Sequence, residues 1–245
     1  MSRVDRNQPL GTPTWIDLAV TDQGGARAFY GTVLGWEFAA AATGTDCLLR
    51  GLPVAGLREA AAGGGWTAHL ATDDCDATAE RVVAAGGEVI EEPHDVADLV
   101  RTALVVDPTG ARFGLWQGRE HPGCRLVNEP GALVRNDLVT AEPAAARAFY
   151  RAVFDFTLDG NDDLPDWDFT FLRRPDGHEI GGVLGLPDAP ASAWATCFEV
   201  ADTDATAARA LAAGGTSADP VDTPYGRSAV LTDPFGAEFS VITRP

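Results

Sequence analysis

The chain has 245 residues, 45% of them hydrophobic, enough for one large domain or two modest ones around a substantial core. Its formal charge of -18, with all eighteen basic residues arginine, works against nucleic acid and anionic membranes, because binding either one needs a basic footprint that releases counterions. No apolar run approaches the roughly eighteen residues of a membrane span, and the opening MSRVDRNQPLGTP lacks the apolar segment of a secretory signal, so a cytoplasmic location is expected.

In chain order, WIDLAV (15–20) reads as a strand, and GGARAFYGTVLG (24–35) as a helix with Phe29, Tyr30, Val33 and Leu34 on one face. Strand-like pieces follow in WEFAAA, CLLRG and VAGLRE. The order then restarts: TAHLAT (67–72) is a strand, DATAERVVAAGG a helix closed by glycine, and EVIEEP, VRTALVV and ARFGLWQ are strands. The stretch GREHPGCRLVNEPG has two prolines, three glycines and no apolar period, which marks a linker. The expected division is a first domain at 9–118, a linker at 119–131 and a second domain at 132–245.

The second half repeats the first. CDATAERVVAAGG (75–87) returns as TDATAARALAAGG (203–215), identical at nine of thirteen positions, and ARAFY (26–30) returns at 146–150. The Asp-Pro turn at Asp107 returns at Asp233. The offsets of 128, 120 and 126 residues differ by a small insertion that falls in the polar TLDGNDDLPDWDF (157–169). Each half therefore holds two βαβββ units, and the chain four.

The segments VTD…ARAFYGTVLGWEF (20–38), PVAGL (53–57), W…ATDDCDAT (66–78), AAGGEV (84–89) and RTALVVDPTGARFGLWQ (101–117), in this order, resemble the vicinal oxygen chelate superfamily. That superfamily includes glyoxalase I, bleomycin-resistance proteins and extradiol dioxygenases. The resemblance covers nearly the whole chain twice. It implies an α+β fold in which four βαβββ modules pair into two curved, incompletely closed sheets, with ligand on the concave face. It also implies a divalent metal held by His, Gln or Glu from the first and last strands of each unit. The matching positions here are Trp15, Gly56, Thr67 and Gly114, then Arg135, Gly182, Ala195 and Ser240. Indole has no usable lone pair and guanidinium no acceptor, so neither set suits a cation. No metal and no cofactor are expected.

Strand alternation suggests what fills the space instead. Trp116 shares a face with Gly114, Asp17 with Trp15, and His69 with Thr67; the two tryptophans form either an aromatic pocket floor or plain core. In the second half Arg135, Asp137, Cys197 and Ser240 share a face, where Arg135 either meets an anionic ligand or pairs with Asp137 or Glu199. His178 and Glu179 are the best remaining metal candidates, although adjacent strand residues face opposite ways. Glu91-Glu92 reads as a strand-end turn and surface charge, and Arg101 and Arg227 as anchors of the Asp-Pro turns. Four cysteines without a CxxC pair read as reduced thiols, mostly buried. The expectation is a metal-free protein that binds an aromatic or polycyclic small molecule, as monomer or homodimer. A lyase, isomerase or dioxygenase-type enzyme acting on a natural-product or aldehyde substrate is the alternative.

Overall fold

A computed structural model of the protein describes residues 2–42, 44–163 and 165–245. The first sheet runs in the order Glu37–Ala41, Gly44–Leu49, Leu52–Glu59, Pro13–Val20, Trp66–Ala71, Arg112–Gly118, Val100–Val106, Glu88–Val96. The second repeats the order as Thr157–Gly160, Phe169–Arg173, Glu179–Gly185, Leu133–Thr140, Ala193–Glu199, Glu238–Thr243, Gly226–Thr232, Thr216–Ser217. In each sheet the opening strands of two units meet antiparallel at the centre, and each has the last strand of its own unit as a parallel outer neighbour. The four βαβββ units thus pair into two open sheets, as expected from the sequence.

Four helices complete the units: α1 (Gln23–Leu34), α2 (Cys75–Ala84), α3 (Pro143–Phe154) and α4 (Thr203–Ala212). The side chains of Asp22, Asp74 and Asp202 accept from backbone N–H groups in the first turns of α1, α2 and α4, satisfying donors that a helix start leaves unpaired. Helix α3 begins instead with Pro143, whose missing N–H costs nothing at that place. Helix α2 is capped at Ala85, and the chain turns through Gly86 at φ 92, a left-handed conformation suited to glycine.

The helices cross between halves. Helix α1 packs beside α4, and α2 beside α3, so each hydrophobic core draws on both halves of the chain. The repeated motifs interlock there. Phe149 lies against Gly87 and Phe29 against Gly215, where an added Cβ would meet a ring carbon at 3.0 and 2.9 Å. The Tyr30 hydroxyl donates to Asp233 Oδ2 and the Tyr150 hydroxyl to Asp107 Oδ2, each at 3.0 Å. The other carboxylate oxygen of each aspartate accepts backbone N–H groups of its own Asp-Pro turn.

This arrangement corrects the expected partners of Arg101 and Arg227. Neither reaches the Asp-Pro turn: Arg101 forks onto Asp76 at 2.6 and 2.7 Å, and Arg227 binds Asp204, both in the first turns of helices. Those helix starts lie over the strands that carry the arginines, closer than the turn six residues along the chain. The linker is also more ordered than its composition suggests. Leu126–Val127 pairs with Ser2–Arg3 and Leu133, and Trp36 Nε1 donates to Gly131 O at 2.7 Å. No helix among the described residues is long and apolar enough to cross a membrane.

Replacing Tyr30 or Tyr150 with Phe leaves a buried carboxylate oxygen without its donor, and each change is expected to cost about 1–3 kcal/mol in urea unfolding. Burial, then the neighbouring carboxylate, raises both phenols well above their ordinary value. Burial likewise raises the four thiols. All are acids favoured in neutral form by the fold, so their contribution is complete at low pH and is lost as pH rises. The urea midpoint should begin to fall above about pH 8.5 and steepen above about pH 10, where unfolded phenols ionise. The steepening should be weaker in the Phe variants.

Candidate ligand-binding site

Register alone lays out the first face. Trp15 stands across from His69 and His69 across from Gly114, while Asp17 stands across from both Gly56 and Thr67. Alternation puts these residues on the side of the sheet away from the helices, together with Arg58, two residues past Gly56. A cavity of about 340 Å³ opens there, lined by Trp15, Asp17, Arg58, His69 and Trp116, and by Glu91 and His94 from the edge strand Glu88–Val96.

Trp15 and Trp116 stack with ring centroids 5.6 Å apart. They are only 2% and 4% exposed: the rings belong to the core, and a narrow strip of indole lines the cavity. His121 from the linker packs edge-on against both, and its carbonyl accepts from Trp116 Nε1 at 3.0 Å. Burial holds the His121 imidazole below its ordinary pKa. The Asp17 carboxylate is shared, its Oδ2 2.6 Å from His69 Nε2 and its Oδ1 accepting from Arg58 Nε at 2.8 Å. Burial works to raise this carboxyl, and His69 and Arg58 more than offset it, holding Asp17 below its ordinary value.

Arg58, Glu91 and His94 were not among the expected site residues. Glu91 lies in the Glu88–Val96 strand and lines the cavity, rather than in a strand-end turn. The signal for Arg58 was its two-residue spacing from Gly56. For Glu91 there was none, because two register shifts in its strand break the alternation count.

The second face is built differently. Arg135 donates from Nε to Asp137 at 2.7 Å and from a terminal nitrogen to Glu179 at 2.7 Å, and it lies 5.5 Å from the ring centroids of both Phe169 and Phe171. Its partners are therefore Asp137 and Glu179; Glu199 pairs with Arg244. Phe169 covers Gly182, where an added Cβ would meet its Cζ at 2.2 Å. Cys197 and Ser240 are paired neighbours on the same sheet, with Ala195 exposed beside them. Burial, with Asp137 nearby, pushes the Cys197 thiol up to about 12, which leaves almost no thiolate at neutral pH. Burial also raises Asp137 despite Arg135, and its Oδ1 has no partner among the described residues. Another cavity, of about 380 Å³, lies between the N-terminal segment and the start of the second sheet, where it reaches His178, Glu179 and Arg135. Its carboxylate and guanidinium groups are already paired with one another or with neighbours. The first face combines space with the open terminal nitrogens of Arg58 and an unpartnered His69 Nδ1 among the described residues, and it is the candidate site.

A family model described as a glyoxalase-like domain matches the chain twice, over residues 15–116 and 134–242. "Putative glyoxylase CFP32" of Mycobacterium tuberculosis is 40% identical over 248 residues, which span 95% of this chain and 94% of that protein. The anthracycline biosynthesis protein DnrV of Streptomyces peucetius is 42% identical over 183 residues, 72% of this chain and 65% of that one. Among solved structures, the Mn(II)-bound glyoxalase from Novosphingobium aromaticivorans has a TM-score of 0.68 at 18% identity, covering 96% of this chain and 82% of its own. The halotolerant catechol dioxygenase BphC has a TM-score of 0.68 at 15% identity, with coverage of 96% and 87%. These two likenesses are of fold.

The residues present do not fit the metal that such a fold implies. A divalent ion needs several converging lone pairs, and among the described residues no three His, Cys, Asp or Glu side chains converge in that way. At Gly114 the space is already taken: a Cβ there would lie 1.8 Å from His69 Nδ1, so the imidazole occupies the place where a ligating side chain would begin.

Gly114→Ala should therefore displace His69 from Asp17 and destabilise the fold by about 1–3 kcal/mol in urea unfolding. In a His69→Ala background the same change should cost almost nothing. Additive effects would show that the ring and the glycine are not coupled.

Proposed function

The chain belongs to the glyoxalase-like family, and from that premise we propose that it is a metal-independent binding or accessory protein that holds a small aromatic ligand against the first sheet. One observation carries this reading. Where the scaffold's metal ligands would stand there are Trp15, Gly56, Thr67 and Gly114, and the space they leave is a cavity based on two stacked tryptophans and walled by Asp17, Arg58 and His69. An aromatic ligand suits that base through ring contact, while the polar wall fixes its orientation. The name of the relative DnrV, an anthracycline biosynthesis protein, agrees with a polycyclic aromatic ligand.

The second face supports this assignment by contrast. The first sheet has Gly44 and Asp46 on the strand beside Leu52–Glu59; at the matching register the second has Phe169 and Phe171. These rings and Arg135 occupy the part of the face nearest Gly182. An enzymatic reading in which Arg135 stabilises an oxyanion loses its support, because Asp137 and Glu179 already engage that guanidinium. On this reading the ligand is a small molecule, neither nucleic acid nor membrane, the protein acts in the cytoplasm, and a single chain completes the site.

Two measurements test this proposal. After incubation with Mn(II), Fe(II) and Zn(II) and then dialysis, elemental analysis should find far less than one metal ion per chain; a ratio near one would overturn the reading. Indole quenching by 2-naphthoate should saturate at one ligand per chain and weaken in Trp116→Phe. Saturation at two would contradict the restriction to the first sheet.

A further inference from the structure

Among the described residues Arg58 is the one permanently charged cation lining the first cavity. It extends from Leu52–Glu59 on the face that carries Gly56, and Asp17 grips only its Nε, at 2.8 Å. Among the described residues neither terminal nitrogen of Arg58 has a hydrogen-bond partner or ion-pair partner. Asp17 is itself held on its other oxygen by His69, so the guanidinium is fixed at its base while its outer fork stays open. A fixed planar fork matches two oxygens, or one oxygen and its lone pairs, lying in the plane of a conjugated ligand.

We propose that Arg58 selects the ligand's polar end: it takes an acidic oxygen, carboxylate or phenolate, attached to the aromatic ring that rests on the Trp15–Trp116 strip. This inference rests on the first cavity being the ligand site, and it adds the chemical class of the ligand and the residue that reads it. The second sheet lacks the device. Its position corresponding to Arg58 is Leu184, and Arg135 is engaged through Nε by Asp137 and through one terminal nitrogen by Glu179. Glu91, 3.6 Å from His94, lines the same cavity from the edge strand Glu88–Val96, well away in the sheet order from the strand that carries Arg58. The chain's overall charge of -18 would draw a cationic aromatic in preference to an anionic one. A preference for the anion therefore runs against the long-range field and reports the local contact.

The test uses the full-length protein and two probes of similar shape and opposite charge, 2-naphthoate and 2-naphthylmethylammonium, followed by indole quenching and calorimetry. The wild type should bind the carboxylate at least about tenfold more tightly. Arg58→Leu should weaken carboxylate binding by about ten- to a hundredfold, the range for a hydrogen bond to a charged group, and leave the ammonium unchanged or tighter. Arg58→Lys should keep part of the preference, and Arg58→Gln provides a second neutral variant should the leucine disturb folding. An unchanged probe ratio in both neutral variants, or a wild-type preference for the ammonium, would overturn the role of Arg58 and leave the cavity as the ligand site. Absence of quenching by both probes would overturn the site reading and this inference with it.

Discussion

A phenol donating to a buried carboxylate, made once in each direction between the halves, is the interaction on which the rest of the structure depends. Tyr150 from the second half holds Asp107, and Asp107 organises the turn that launches Arg112–Gly118. That strand supplies Gly114 and Trp116, so the first cavity is braced from the opposite end of the chain. Tyr30 does the same for Asp233 and Glu238–Thr243. The duplicated motifs are therefore parts of one interlock rather than two independent copies. ARAFY contributes the tyrosine and the phenylalanine, the paired glycines leave room for the phenylalanine, and the Asp-Pro turn receives the tyrosine.

The two faces built on this frame have diverged in what fills them. In the first, Gly56 and Gly114 leave space that Trp15 and His69 partly occupy, and a cavity opens beside them. In the second, Phe169, Phe171 and Arg135 fill the corresponding region. A carboxylate stands at the same register in both, Asp17 and Asp137, with opposite uses. Asp17 positions His69 and an arginine whose fork remains open; Asp137 consumes the arginine beside it. Neither arrangement gathers the lone pairs that a divalent ion requires.

Much of the architecture was legible in the sequence because it is local or periodic. The repeat announced four units, and period-two alternation paired Trp15 with Asp17, Thr67 with His69 and Gly114 with Trp116 within their strands, while the family resemblance implied a shared concave face. What stayed hidden was the set of contacts between segments far apart in sequence. The Tyr–Asp bonds span 203 and 43 residues, and nothing in either motif alone names its partner. Arg101 and Arg227 were paired with the wrong aspartates because proximity along the chain is a poor guide once a helix lies over the strand. Glu91 was obscured by bulges that shift the alternation, and Phe169 and Phe171 by an insertion that blurs the alignment of the two halves. The unsuitability of Trp15 and Arg135 as cation ligands, by contrast, follows from residue type alone, since no packing gives an indole or a guanidinium a lone pair to donate.

The most direct test of the account is a crystal structure of the protein soaked with Mn(II) and 2-naphthoate, with anomalous data collected for manganese. Electron density for the naphthalene ring is expected against Trp15 and Trp116, with its carboxylate at Arg58 and no anomalous peak on either concave face. A manganese peak within bonding distance of His69 or Asp17, with the organic molecule absent or bound to that ion, would contradict it.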